Sequence, residues 1–193
     1  MLNGLSKDGD VITRLFSTCL QLEDVSINMC RFDTRVFKII GEKLRRLSIA
    51  HCYHRKYRNC YHRKYSPCKL EIHALNLSSF EYRGNKQIRS IISIEAPKLL
   101  KVFWDAGFNK INIYNFATIA SLHHPENLTM HMSLSQVSKL MKEYMDQYQN
   151  LIQLKLYIGG AYDPNMDCFW ILDNAMASQH LQKLSLTMSY STF

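Results

Sequence analysis

A nine-residue pattern that occurs twice near the start of the chain constrains its fold more than any other feature. Residues 22–30 read LEDVSINMC and residues 44–52 read LRRLSIAHC, so apolar residues and a final cysteine occupy the same places in both. The two copies begin 22 residues apart. A unit of this length has room for one short strand and a return segment, and neighbouring units would bury each other's apolar side.

The same frame continues along the chain with a changing spacing. It recurs from Leu77 and Leu99, again 22 residues apart, and in looser form from Pro125, Leu151 and Leu181, where the spacing grows to 26, 26 and 30 residues. Units of roughly 20–29 residues with this pattern are typical of leucine-rich repeats. The sequence therefore predicts an α/β fold in which successive units add strands to one sheet.

The predicted architecture is a single leucine-rich-repeat domain over residues 1–193. It is a solenoid with a curved parallel sheet on its concave side and helices or irregular segments on its convex side. Little helix is expected early in the chain, where residues 10–19 have the apolar spacing of one short helix. A weaker apolar pair at Leu70 and Ile72 predicts an additional short strand before the unit that starts at Leu77.

Helices are expected mainly in the C-terminal half, because the longer units leave room for them. Residues 134–148 carry apolar side chains at the i, i+3, i+6 and i+7 positions of one helix face. Ser133 and Gln136 have the residue types and the spacing of a capping box at the start of this helix. A further helix is expected over residues 163–176, since it begins with aspartate followed by proline.

After the second copy of the pattern, the chain contains an almost perfect tandem copy of eight residues. Residues 52–59 read CYHRKYRN and residues 60–67 read CYHRKYSP. Extending a surface loop costs little closure entropy, so we interpret residues 53–68 as a duplicated basic loop within the repeat domain. The formal net charge is +8, and six of the excess positive charges lie in or next to this segment, on Arg55, Lys56, Arg58, Arg63, Lys64 and Lys69.

Two alternatives attach to the duplicated loop. Its interleaved aromatic and basic residues are typical of grooves that bind single-stranded nucleic acid, although here the charge is confined to one loop. Its cysteines and histidines also provide five potential zinc ligands, Cys52, His54, Cys60, His62 and Cys68. The ligand spacing follows from the duplication itself, and Cys52 occupies the same position in its unit as Cys30, so no metal and no cofactor are predicted.

No motif in the sequence points to catalysis or to a membrane. There is no glycine-rich phosphate loop, no G-x-S-x-G turn and no H-E-x-x-H pair, so a binding protein rather than an enzyme is predicted. No apolar run approaches the roughly 18 residues of a membrane span. The first residues lack the layout of a signal peptide, so a cytoplasmic or nuclear location with reduced cysteines is expected.

The predicted partner-binding surface is the concave face of the sheet. In an apolar-x-apolar strand the middle residue points away from the apolar side, so these positions can be read from the sequence. Phe103 and Tyr157 are the expected aromatic anchors, and the alternative is that all of these positions are only solvated. The predicted set is Ser26, Ser48, Glu81, Arg83, Phe103, Asp105, Thr129, His131, Lys155, Tyr157, Ser185 and Thr187.

Four segments of the chain, in the same order, resemble segments of plant F-box/leucine-rich-repeat proteins of the FBD type. Residues 16–27, FSTCLQLEDVSI, are similar to the family's LLSxCPxLEDLSI, with Leu20 in place of the usual proline. Residues 41–49, GEKLRRLSI, residues 77–84, LSSFEYRG, and residues 94–99, IEAPKL, are similar to its SLKRLSI, LKSFEYSG and ISAPNLK segments. The resemblance covers nearly the whole chain.

The resemblance implies a role in ubiquitination. In that family an N-terminal F-box binds a Skp-type adaptor of an SCF ubiquitin ligase, and the repeats bind the substrate protein. Neither the F-box nor a complete FBD tail is recognisable in this sequence, so we expect a fragment of the repeat region. It would meet a Skp-type adaptor only if an F-box is supplied upstream or by another chain. A truncated paralogue without independent activity is the remaining alternative.

Overall fold

A computed structural model of the chain describes residues 2–3, 9–32, 36–54, 68–84, 90–105, 122, 125–160, 169–176 and 180–190. The helices in these ranges are α1 (Gly9–Thr18), α2 (Leu134–Glu143) and α3 (Phe169–Met176), and a 3-10 turn covers Met145–Gln147. The strands are β1 (Leu2–Asn3), β2 (Asp24–Asn28), β3 (Arg31–Phe32), β4 (Val36–Ile40), β5 (Arg46–Ala50), β6 (Tyr53–His54), β7 (Cys68–His73), β8 (Ser79–Arg83), β9 (Ser90–Glu95), β10 (Lys101–Asp105), β11 (Asn127–Ser133), β12 (Gln153–Gly160) and β13 (Lys183–Tyr190).

The main sheet is built from one strand of each unit, placed side by side in chain order. Its order is β1-β2-β5-β8-β10-β11-β12-β13, and every described pairing is parallel. The register aligns equivalent positions of successive units, so that Leu47 pairs with Val25 on one side and with Phe80 on the other. The predicted α/β class with a parallel sheet is confirmed.

A second, three-stranded parallel sheet is formed by the return segments of the early units, in the order β4-β7-β9. The sequence predicted a strand only around Leu70 and Ile72, and a mixed segment elsewhere. The strands follow from strict alternation, because Phe37 and Ile39 are buried while Val36, Lys38 and Ile40 are exposed.

One continuous core lies between the two sheets and extends under the helices. Its centre is made of inward-facing residues of the main sheet, which form rows across the strands. In one row the rings of Tyr82 and Trp104 stack with centroids 4.6 Å apart, and both side chains are buried. The main row comprises Val25, Leu47, Phe80, Val102, Leu128, Leu154 and Leu184.

The start of each main strand is held by the same backbone hydrogen bonds. One carbonyl of the preceding unit accepts bonds from two successive N–H groups; for example, the carbonyl of Glu23 accepts from Arg45 and Arg46 at 2.7 and 3.0 Å. The arrangement continues at the carbonyls of Arg45, Ser78, Leu100, Glu126 and Ile152. It is therefore independent of the number of residues in each unit.

The described helices agree with the sequence patterns where they can be compared. α1 falls on the segment predicted at 10–19, and α2 begins at the predicted capping box, where the N–H of Ser133 donates to Oε1 of Gln136 at 2.7 Å. The helix predicted over 163–176 is present as α3, whereas its expected start at residues 163 and 164 lies outside the described residues.

The chain leaves the main sheet after β2 and β5 through the same backbone bend. Met29 and His51 both have a φ of 52°, a left-handed conformation that costs a non-glycine residue roughly 1–2 kcal/mol. Each is followed by one of the two pattern cysteines, Cys30 and Cys52, and then by the short parallel pair β3 and β6.

Candidate functional site

The outer face of the main sheet, which points away from the core, carries every residue of the predicted partner-binding surface. The register places these residues in two neighbouring rows that cross the strands from β2 to β13. One row is Ser26, Ser48, Glu81, Phe103, Thr129, Lys155 and Ser185, and the other is Asn28, Ala50, Arg83, Asp105, His131, Tyr157 and Thr187.

Side chains in the middle of this face form one connected group, which we call the aromatic stripe: Arg83, Phe103, His131 and Tyr157. The guanidinium carbon of Arg83 lies 4.6 Å from the centroid of the Phe103 ring, within the range of a cation–π contact. The His131 ring lies 5.3 Å from that of Phe103 and 4.4 Å from that of Tyr157, centroid to centroid. The stripe thus spans four adjacent strands.

Two carboxylates border the aromatic stripe, and each faces a basic group. An Oε1 of Glu81 lies 2.6 Å from Nε of Arg83, and Oδ2 of Asp105 lies 3.4 Å from Nδ1 of His131. The first contact fixes the guanidinium above the Phe103 ring, because Glu81 and Arg83 point outward from the same strand. The stripe is consequently held in place before any partner arrives.

The structure adds a third outward row that the sequence reasoning missed. That reasoning considered only positions between or after apolar residues, yet the residue before the first apolar position also points outward. Extending the period of two by one step would have found it. The row is Asp24, Arg46, Ser79, Lys101, Asn127, Gln153 and Lys183.

At its first end the third row contains an exposed ion pair. The Nε of Arg46 donates to Oδ1 of Asp24 at 2.7 Å, and a second nitrogen of Arg46 contacts the other carboxylate oxygen. This side-chain hydrogen bond, aided by the positive charge, lowers the pKa of Asp24 below its ordinary value. The early part of the outer face is therefore internally neutralised.

The outer face of the second sheet differs in that its described charges are paired across strands. Glu71 lies between Lys69 and Lys38, with N···O distances of 2.6 and 3.1 Å, and these two lysines lower its pKa. His73 and Glu95 approach to 2.7 Å on the next rung. Val36 and Ile40 supply exposed apolar surface there, but no described aromatic side chain joins them.

The position of Lys69 corrects the predicted basic loop. Lys69 lies in β7 and pairs with Glu71, because β7 is fixed between β4 and β9 by their hydrogen bonds. The ends of the duplicated segment are also strand residues, since Tyr53 and His54 form β6 and Cys68 begins β7. The other predicted basic positions, Arg55, Lys56, Arg58, Arg63 and Lys64, lie outside the described residues.

Cys52 is the one predicted zinc ligand whose side chain is described, and its environment favours a neutral thiol. The Sγ of Cys52 donates to the carbonyl of Ala50 at 3.3 Å, and burial, followed by contact with Cys30, raises the pKa of this thiol to about 12. Zinc binds the thiolate. Nothing is described for the other four ligands' side chains, and no group of three or more metal-ligating side chains occurs within the described residues.

An open cleft of about 370 Å³ lies at the edge of the main sheet where β12 and β13 begin. It is lined by Glu126, Gln149, Asn150, Ile152, His180, Leu181 and Gln182. None of these residues belongs to the outward rows. Amide and apolar groups dominate the lining, so the cleft does not supply the convergent acid, base and nucleophile of a catalytic site.

The described helices set one further limit on the site, and the comparisons with known proteins add no name. None of the helices in the described ranges is long and apolar enough to cross a membrane. No protein-family model, curated protein or solved structure matches the chain, so the resemblance to F-box/leucine-rich-repeat proteins stays a prediction.

Proposed function

We propose that the chain is a leucine-rich-repeat solenoid that binds a protein partner on the outer face of its main sheet, as the concave face of such a solenoid. The in-order parallel strands support this architecture. So do the repeated carbonyl junctions, which place each unit on the previous one in the same way despite unit lengths from 22 to 33 residues.

The observation that carries the binding role is the aromatic stripe. Large rings and an arginine, connected across four strands and only partly buried, are the residue types that contribute most to protein interfaces. They lie on a broad sheet face rather than in an enclosed cavity, which suits a protein surface or peptide better than a small molecule. The ion-paired face of the second sheet offers no such group among its described residues.

The resemblance to F-box/leucine-rich-repeat proteins supports a more specific form of the proposal. The bound partner is then a substrate of an SCF ubiquitin ligase, and this chain is the part that recognises it. The Skp-type adaptor is recruited by an F-box outside this repeat region, on the same polypeptide or on an associated chain. Catalysis belongs to the ligase.

Quantitative affinity purification from an extract of the source organism tests the proposal. Wild-type protein is compared with the double variant Phe103→Ala, Tyr157→Ala, and recovered proteins are counted by mass spectrometry. A specific partner should decrease at least about tenfold in the double variant, because loss of two anchors removes roughly 2 kcal/mol or more. Circular dichroism verifies that the variant is folded.

A matched control removes apolar side chains from the opposite surface. Val36→Ala with Ile40→Ala truncates exposed residues of the second sheet and should leave recovery of the partner unchanged. A partner lost equally in both double variants would contradict binding through the aromatic stripe. A Skp-type adaptor that never accompanies the partner, with any form that includes an F-box, would contradict the ubiquitin-ligase role alone.

A further inference from the structure

The part of the outer face formed by β8 to β13 has an unequal distribution of charge. Its three outward rows contain four cations, Arg83, Lys101, Lys155 and Lys183, but only two carboxylates, Glu81 and Asp105. Both carboxylates face a basic group at the distances given above. The excess therefore rests on the three lysines, none of which has an ion-pair partner among the described residues.

The lysines border the aromatic stripe on one side. Lys101 precedes Phe103 by two residues on the same strand, and Lys155 precedes Tyr157 in the same way, so each lies about 7 Å from a ring residue along the strand. Lys183 extends the basic edge onto β13. Cations consequently lie toward the end where the strands begin, with the rings beyond them.

Hydrogen-bonding groups flank the central lysine. Lys155 pairs in register with Thr129 on β11 and with Ser185 on β13, so two hydroxyl side chains stand beside its ammonium group at strand spacing, about 5 Å. A carboxylate that approaches Lys155 can accept hydrogen bonds from the ammonium and from a hydroxyl. A cationic side chain at the same place meets only like charge.

We propose that this surface binds an acidic segment of a partner protein, with a large apolar or aromatic side chain against the aromatic stripe and carboxylates against Lys101 and Lys155. Charge complementarity selects the acidic segment, and the partly buried rings select the apolar side chain. The inference rests on the proposed function, since it specifies the partner for the same face.

Selection of a random twelve-residue peptide library displayed on phage tests this inference with the folded full chain. The expected peptides contain an excess of aspartate and glutamate next to at least one aromatic or large aliphatic residue. Their affinity, measured by fluorescence anisotropy, should fall at least about tenfold in the double reversal Lys101→Glu, Lys155→Glu and should weaken with added salt. The control reversal Arg14→Glu, Lys142→Glu makes the same change in net charge elsewhere and should have little effect.

The outcomes separate the inference from the proposal on which it depends. Peptides without an acidic excess whose binding still requires Phe103 and Tyr157 would overturn the acidic segment and leave the binding face intact. Peptides that bind equally well to the Phe103→Ala, Tyr157→Ala variant would overturn both. Equal loss of affinity in the test and control reversals would show a general charge effect and would also overturn the inference.

Discussion

The early and late parts of the molecule build the same main sheet with different return segments. Up to Asp105 the described returns are strands, β4, β7 and β9, whereas after β11 and β12 they are the helices α2 and α3. β4 has 5 residues and α2 has 10. At about 3.3 Å per strand residue and 1.5 Å per helix residue, both span roughly 15–17 Å.

This comparison explains why unit length controls the return segment. A helix needs about twice as many residues as a strand to cover the same distance. The unit with β4 spans 22 residues from β2 to β5, and the unit with α2 spans 26 from β11 to β12, so the extra residues go into the helix. The main strands stay in register in both parts.

The largest expected effect comes from cavities in the shared core. Phe80→Ala in the early part should lower the free energy of unfolding by about 3–5 kcal/mol, and Leu156→Ala in the late part by about 2–5 kcal/mol, since both side chains are fully buried. The comparison concerns whether each part reports the other's damage. Because the core is one cluster, it should.

The two tryptophans make this measurable by denaturant unfolding. Trp104 lies in the early part and Trp170 in the late part, so Trp170→Phe or Trp104→Phe leaves one reporter. Phe80→Ala should shift both reporters to the same lower midpoint. A shift seen by Trp104 alone would mean that the strand-return and helix-return parts unfold separately.

The next effect concerns a buried thiol of the early part. Since its folded pKa is raised to about 12, Cys52 holds its proton longer in the folded state than in the unfolded state. The stability that it contributes is complete below its unfolded pKa and is lost as pH rises toward 12. By linkage, this loss is about 1–2 kcal/mol between pH 8 and pH 10.

Urea unfolding of wild type and Cys52→Ala at pH 8, 9 and 10 checks this. The difference in unfolding free energy between the two proteins should shrink as pH rises, because only the wild type has this group to ionise. Parallel pH profiles would contradict a buried, protonated thiol and would reopen Cys52 as a metal ligand.

A smaller effect is expected at the helix of the late part, which has a capping box. Ser133→Ala should lower the free energy of unfolding by about 1 kcal/mol, because it removes the hydroxyl that belongs to the box. Ser135→Ala, one turn-position away in the same helix, is the matched control. Equal losses in both variants would indicate that the cap contributes nothing specific.

The smallest effect is expected at the exposed pair of Asp24 and Arg46 in the early part. Asp24→Asn should leave the thermal midpoint at pH 7 unchanged within error, since solvent screens the pair. The lowered pKa of Asp24 still predicts a sign: its contribution is present above the ordinary pKa and is lost as pH falls. An NMR titration with a midpoint at or above the ordinary aspartate value would contradict the contact.

Most of the main sheet could be predicted from the sequence, because each strand carries the apolar-x-apolar signal. β4 and β9 could not, since their alternation is short and Val36 and Ile40 add apolar residues to the exposed side. On the outer face, Phe103 and Tyr157 were found from period two. Their connection through His131 depends on the register between β10, β11 and β12, which no single strand encodes.

The carbonyl junctions have a consequence for how such a molecule can change. Each joins consecutive units through backbone atoms alone, so it imposes no side-chain identity at the contact. Whole units could then be inserted, deleted or exchanged without a new junction having to be designed, in the way that identical connectors accept modules of different length. An engineered protein with one extra copy of residues 77–98 inserted after residue 98 is the simplest product of that modularity.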